Sequence, residues 1–312
     1  MTRVVALLTI LVLAGCGAQT AIAPPPGVPE GRCGTVNVAV NPWVGYAANA
    51  AVVSYLLKEQ LGCTVVRKDL TEAASWEGLA NGGVDVILET WGHDAEKKRY
   101  IDDTKVAVEL GLTGNKGVIG WYVPPWMATQ YPDITDWKNL DKYADLFRTE
   151  QSGGKGQFLD GDPSFVTNDA ALIRNLKLDY TVVYAGSEDK LIAAFRAAQT
   201  DRTPLIGYFY APQWLLSEIK LVHIALPTYK PGCDADPKTV ACDYQPYDLD
   251  KVGRKKFVDS GSPAATLIKN FTWTDEDQNA VARDLTVGKM SPDAAAKKWL
   301  DAHRAVWQEW MP

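Results

Sequence analysis

Residues 34–40, GTVNVAV, alternate apolar and polar in the manner of a half-buried strand, and residues 47–61, AANAAVVSYLLKEQL, put Val52, Val53, Leu56, Leu57 and Leu61 at helical spacing. Gly62 is the expected helix stop. Val65 and Val66 begin a second strand, Ser75 to Ala80 form a short helix, and Val84 to Leu88 (VDVIL) form a third, fully buried strand. Strand, helix, strand, helix, strand is the grammar of a parallel sheet, because each helix carries the chain back to the end where the next strand starts. The fold class read from this stretch is α/β.

Further along, Val118 to Val123 reads as a strand ended by Pro124 and Pro125, and a second α/β run follows it. It consists of helical Leu140 to Phe147, strand Gly156 to Leu159, helix Asn168 to Leu176, strand Thr181 to Tyr184, helix Lys190 to Ala198 and strand Leu205 to Tyr210. A strand over Val222 to Leu226 is expected to return the chain to the first unit. From Leu249 onward the pattern reads helical, including Asp277 to Thr286 and Ala294 to Trp310. Two crossings predict a hinge between two α/β lobes: lobe I over 33–122 and 223–312, lobe II over 123–222. The chain beyond residue 32, roughly 280 residues, is also more than one compact core usually supports. Ligands of such sheets sit beyond the carboxyl ends of the strands, which places the cleft between the lobes.

The N-terminus predicts export. Arg3 precedes the apolar run VVALLTILVL (Val4 to Leu13), which is too short to span a bilayer, and Leu13-Ala14-Gly15-Cys16 has the small residues of a cleavage point with a cysteine directly after them. Residues 1–15 are the expected signal peptide, Cys16 the expected diacylated new N-terminus, and residues 16–32 a tether stiffened by Pro24, Pro25, Pro26 and Pro29. The predicted location is therefore the extracytoplasmic face of the cell membrane, held by lipid. Four further cysteines in an oxidising compartment predict disulfides, and four allow three pairings. Cys33 and Cys63 each stand just before an apolar run, while Cys233 and Cys242 bracket a short polar loop, so the pairs expected are Cys33–Cys63 and Cys233–Cys242.

A net charge of −6 with both signs dispersed argues against a nucleic-acid surface. The three histidines, His93, His223 and His303, are far apart and lack metal-ligand spacing, so no metal or cofactor is expected. Gly153-Gly154-Lys155-Gly156 lacks the spacing of a phosphate-binding loop. Glu89 and Asp94 flank Trp91 without a nucleophile or base motif, and they read as solvated rim carboxylates that add negative potential for a cationic solute. No catalytic residue and no enzymatic activity is expected.

Aromatic residues follow the strands repeatedly. Trp43 follows the first, Trp91 the third, Tyr210 ends LIGYFY with Trp214 four residues on, and Phe165 lies in the loop GDPSF before a helix. A cation without N–H donors is held by the negative faces of aromatic rings, at up to about 2 kcal/mol per contact when desolvated. Core packing is the commoner use of any one such ring, and it is the reading kept for Trp76, Trp137, Trp273, Trp299, Trp307 and Trp310. A carboxylate on the same ligand would take backbone N–H groups, and Val166 and Thr167 lead into a helix start that offers them. Asp162 or Ser164 as an ordinary N-cap fits the same residues equally well.

The segments GLANGGVDVILETWGHD (78–94), GQFLDGDPSFVTND (156–169), IGYFYAPQW (206–214), SPAATLI (262–268) and AAAKKWLDAHRAVWQEW (294–310) resemble the glycine betaine/proline betaine substrate-binding family of ABC importers. The resemblance implies a two-lobed, periplasmic-binding-protein-like fold of type II. It also implies partnership with an ABC permease and its ATPase, and a quaternary-ammonium solute such as glycine betaine. Choline, carnitine, a sulfonium compound or a non-betaine solute is the alternative, and behind these stand an extracellular enzyme and a sensory lipoprotein. In the family three tryptophans box the ammonium group. The matching positions here are Trp91, Phe165 and Tyr210, so two of the three are aromatic but not tryptophan. Trp43 and Tyr122 are expected to complete a cage of different shape, and the family's carboxylate-binding amides correspond to Val166 and Thr167. The two cysteines that bracket that loop in some relatives are absent.

Overall fold

The computed structural model describes residues 33–165 and 167–312. The signal segment 1–15, Cys16, the tether 16–32 and Val166 lie outside the described residues.

The first βαβαβ run forms as its periodicity demands: β1 (Thr35–Val40), α1 (Val44–Glu59), β2 (Thr64–Asp69), α2 (Glu72–Asn81) and β3 (Val86–Thr90). β1 pairs in parallel with both β2 and β3. A short helix α3 (Asp94–Lys97) continues as a π-helical turn into the long strand β4 (Ala107–Val123). Then come α4 (Pro125–Gln130), two 3₁₀ turns over Pro132–Thr135 and Trp137–Phe147, β5 (Gly156–Asp160), α5 (Asp169–Asn175), β6 (Tyr180–Tyr184), α6 (Glu188–Asp201) and β7 (Gly207–Ala211). The chain closes with α7 (Leu215–Glu218), β8 (Val222–His223), β9 (Tyr247–Arg254), α8 (Lys255–Val258), α9 (Pro263–Asn270), α10 (Asp275–Thr286), α11 (Pro292–Ala302) and α12 (Arg304–Gln308).

The nine strands run in the order β2-β1-β3-β9-β4-β7-β5-β6, with β8 beside β4. β4 joins the two halves. Its first part pairs antiparallel with β9 from Ala107 opposite Arg254 to Gly117 opposite Tyr247, and its last part pairs with β7 from Val118 opposite Ala211 to Tyr122 opposite Gly207. α1 is apolar almost all round because it is enclosed on both sides, by β1–β3 beneath and by α10 and α11 above.

Three expectations need correction. β8 pairs with Tyr122 and Val123 at the end of β4, within the second half of the sheet. The chain therefore does not return near Val222; it re-enters the first half with β9. The changes of strand partner fall at Gly117–Val118 and between β8 and β9. Second, residues 247–254, YDLDKVGR, are strand and not the start of helix. Their charges hid it: Asp250 and Lys251 are both buried, Asp250 taking Lys97 and the Thr90 hydroxyl, Lys251 donating to the carbonyls of Lys269 and Phe271. Third, the C-terminal helix is broken at His303 into α11 and α12.

Both expected disulfides are formed, with Cα–Cα separations of 4.9 Å for Cys33–Cys63 and 6.3 Å for Cys233–Cys242. The first clips the start of β1 to that of β2, and the second closes a loop between β8 and β9.

Candidate functional site

A cavity of about 480 Å³ lies at the carboxyl ends of the strands, between the two halves of the sheet. Aromatic residues from both halves line it. Trp43 caps the N-terminus of α1 just after β1, and Trp91 follows β3. Facing them are Phe165 beyond β5 and two rings of β7, Tyr208 and Tyr210, whose spacing of two puts them on one face of the strand. Tyr244 and Tyr247 enter from the approach to β9. Trp91 meets Tyr210 edge-on with ring centroids 5.6 Å apart, Trp43 meets Phe165 at 6.0 Å, and Trp91 meets Tyr247 at 5.9 Å. Gly117 on β4 makes room for this arrangement, since a Cβ there would fall 2.6 Å from Cζ3 of Trp91.

Two buried carboxylates hold the rings from behind. Glu89 lies on β3 two residues before Trp91, and its Oε1 accepts the indole N–H of Trp43 at 2.7 Å and that of Trp91 at 2.9 Å. Its Oε2 accepts from Asn49 at 2.6 Å and Gln278 at 2.7 Å. Glu89 is therefore no solvated rim group, as its sequence position suggested, but is 2% exposed. Glu188 begins α6 and accepts the Tyr210 hydroxyl and, at 3.0 Å, the side-chain amide of Gln213. Its Oε2 accepts the backbone N–H of Val44 at 2.7 Å, a bond that crosses between the halves at the start of α1. Burial pushes both carboxyls above the ordinary glutamate value, against the donors that favour their charged forms.

The opposite wall is polar. Asp169 at the start of α5 accepts the Trp121 indole N–H at 2.6 Å and the Tyr244 hydroxyl at 2.9 Å. The same hydroxyl accepts the Asn168 N–H at 2.7 Å. Burial, and then the charge of Asp160, push Asp169 well above the usual carboxylate range. His93, which also lines the cavity, lies between Glu72 at 3.0 Å and Glu96 at 3.7 Å. Burial alone would lower its pKa, but the two carboxylates outweigh it and hold it at about 9, so the ring is charged at neutral pH.

Compared with known proteins, residues 34–302 match the family described as the substrate-binding domain of ABC-type glycine betaine transport systems. The chain belongs to that family. The trimethylamine N-oxide-binding protein of Pelagibacter ubique is 27% identical over 278 residues, 85% of this chain and 87% of that protein. Among solved structures, lactococcal OpuAC in its closed-liganded conformation with glycine betaine superposes with a TM-score of 0.69 at 22% identity, covering 89% of this chain and 99% of that one. An ABC-transporter choline-binding protein with choline gives 0.71 at 18%, covering 89% and 91%. The two-lobed substrate-binding fold is thereby established, and the family is one of substrate-binding domains of ABC-type transport systems.

Set on this glycine-betaine-transport fold, four of the expected ligand residues, Trp43, Trp91, Phe165 and Tyr210, line the cavity, and the three positions matched to the family's tryptophan box are among them. Two others do not. Tyr122 packs against Phe209 and His223 at 6.3 and 5.2 Å, away from the cavity, and burial pushes its hydroxyl up to about 12. Trp214 is fully buried beneath the Arg196 guanidinium, 4.8 Å from its ring centre. Thr167 donates its hydroxyl to Asp160 at 2.9 Å, while its neighbour Asn168 reaches the cavity. Sequence reasoning missed Tyr208, which the two-residue period of β7 would have revealed. It also missed Tyr244 and Tyr247, hidden by the misread strand β9, and Glu188, which carries no local signal. Among the described residues no group of three or more His, Cys, Asp or Glu is placed to hold a metal ion, and no helix is long and apolar enough to cross a membrane.

Proposed function

We propose that this chain is the extracytoplasmic solute receptor of an ABC importer and that it binds a small quaternary-ammonium compound in the aromatic cavity. One observation carries the reading: aromatic rings from both halves of the sheet converge on one cavity, with Trp91 and Tyr210 5.6 Å apart across the cleft. A methylated ammonium group offers no N–H to a hydrogen-bond acceptor, so only ring faces and diffuse negative charge can hold it. A ligand touching both halves favours closure, because both contacts exist only when the halves meet. Asn168 and Tyr208, which line the cavity, are the candidates for the polar end of such a solute.

Glycine betaine is the first candidate. Trimethylamine N-oxide joins it because a relative sharing most of its length is named for that solute. Choline and carnitine complete the series. Thermal shift of the mature protein against this panel, with amino acids and sugars as controls, tests the reading. A ligand at about 100 times its Kd adds ~2.7 kcal/mol of stability. Stabilisation by sugars or ordinary amino acids alone refutes it.

Anchoring through an acylated Cys16 belongs to the same proposal. Mature protein is expected in the membrane fraction, and Cys16→Ser is expected to release it; unchanged membrane association of that variant would refute the anchor.

A further inference from the structure

We propose that Glu89 and Glu188 are the counter-ions of the bound cation, two carboxylates set behind the cage rings, one in each half of the molecule, whose positive partner is the ligand itself. The inference rests on the quaternary-ammonium reading and adds to it the source of charge selectivity.

Both groups are deeply buried, at 2% and 6% exposure. A buried carboxylate normally faces a cation, because removing its charge from water costs several kcal/mol. Here the partners are neutral donors: Trp43, Trp91, Asn49 and Gln278 for Glu89, and Tyr210, Gln213 and the Val44 amide for Glu188. Among the described residues no Lys, Arg or His lies close enough to either carboxylate to form an ion pair or to offset its burial.

The donors of Glu89 favour its ionised form. Four N–H groups point at its two oxygens, the number of donors a carboxylate readily accepts. Three of the seven donors in the two sets belong to rings that line the cavity, Trp43, Trp91 and Tyr210. A ring whose N–H or O–H donates to an anion gains electron density, which deepens the negative face a cation meets. The low-dielectric surroundings strengthen the direct attraction as well. Both effects act on charge and not on shape, so they separate a cation from its neutral isostere.

The test uses two probe pairs that differ by one atom, N⁺ against C: choline with 3,3-dimethylbutan-1-ol, and glycine betaine with 3,3-dimethylbutanoate. Glu89→Gln suits it because the structure offers a way to absorb the change. The indoles keep Oε1, and the Asn49 and Gln278 amides can turn their oxygens toward the new N–H groups, the Gln278 oxygen having no partner among the described residues. Affinities by calorimetry, with melting of the ligand-free variant, are expected to show the cationic member of a pair weakened at least ~tenfold and its carbon isostere changed by less than about twofold. Glu188→Gln is expected to act in the same direction. Equal weakening of both members of a pair would reduce these residues to scaffolding and overturn the inference, as would an unchanged cation affinity. Should Glu89→Gln fail to fold, the exchange Glu89→Gln with Gln278→Glu keeps one carboxylate in the cluster. It is expected to retain the cation preference, and a folded exchange variant without it counts against the inference. Wild-type protein that binds none of glycine betaine, choline, carnitine and trimethylamine N-oxide overturns the quaternary-ammonium reading itself, a result distinct from binding that ignores Glu89.

Discussion

Trp91 does two things whose energies separate cleanly. It is only half-buried, yet its indole N–H is fixed by Glu89 and its ring lies over Gly117. Truncating it should therefore harm binding more than folding. Trp91→Ala and Tyr210→Ala are each expected to weaken the identified ligand by about tenfold or more, with a smaller effect on the melting of the free protein. Unchanged affinity with a collapsed melting point would return both rings to the core. Gly117→Ala probes the same ring from beneath: a Cβ 2.6 Å from Trp91 and 2.8 Å from Leu249 must push one of them aside. Weakened binding at a nearly normal melting temperature is expected, and calorimetry with a melting curve reads both. At this level the sequence exposed Trp43, Trp91, Phe165 and Tyr210, because each follows a strand. It misplaced Tyr122 and Trp214, because adjacency to a strand end does not say which way a side chain turns.

The two disulfides divide the labour between stability and the site. Cys33–Cys63 ties β1 to β2 far from the cavity, whereas Cys233–Cys242 closes the loop that brings Asp234, Ala235 and Pro237 to the cavity wall. Replacing the first pair by serine is expected to cost about 2–4 kcal/mol of stability and to leave affinity unchanged. Replacing the second pair should weaken binding at a smaller cost in melting temperature. The reverse pattern would show that the loop plays no part in the wall. Helices α1, α2, α5, α6 and α10 were legible to within a few residues, and α10 completes a capping box between Thr274 and Asp277. β9 was not. Asp250 and Lys251 look solvent-facing in YDLDKVGR until Lys97, Thr90 and the end of α9 arrive from distant segments to satisfy them.

The bonds that cross the cleft, Val44 to Glu188 and Arg283 to Glu218 at 3.2 Å, together with the Trp91–Tyr210 and Trp43–Phe165 contacts, hold the two halves against each other. A pH dependence follows for the molecule as a unit. Burial raises Glu89 and Glu188 above the ordinary value of 4.5, so in the ligand-free protein their contribution to stability is fully present below that value. It is lost as pH rises through the raised values. A bound cation favours the ionised forms, so affinity should move oppositely and tighten with rising pH across the same window. Calorimetry from about pH 4 to neutrality reads this, and Glu89→Gln should flatten the profile; affinity independent of pH in the wild type would contradict it. The sequence by itself determined the α/β class, the two disulfides, the family and the aromatic character of the site, because strand and helix periods, cysteine placement and aromatic positions are properties of neighbouring residues. Only the tertiary structure decided where the chain re-enters the first half of the sheet, which rings share the cavity, and that two acidic residues are buried behind them. Those facts depend on groups brought together across as many as 189 residues of chain, as in the bond from Gln278 to Glu89, and no local pattern encodes them.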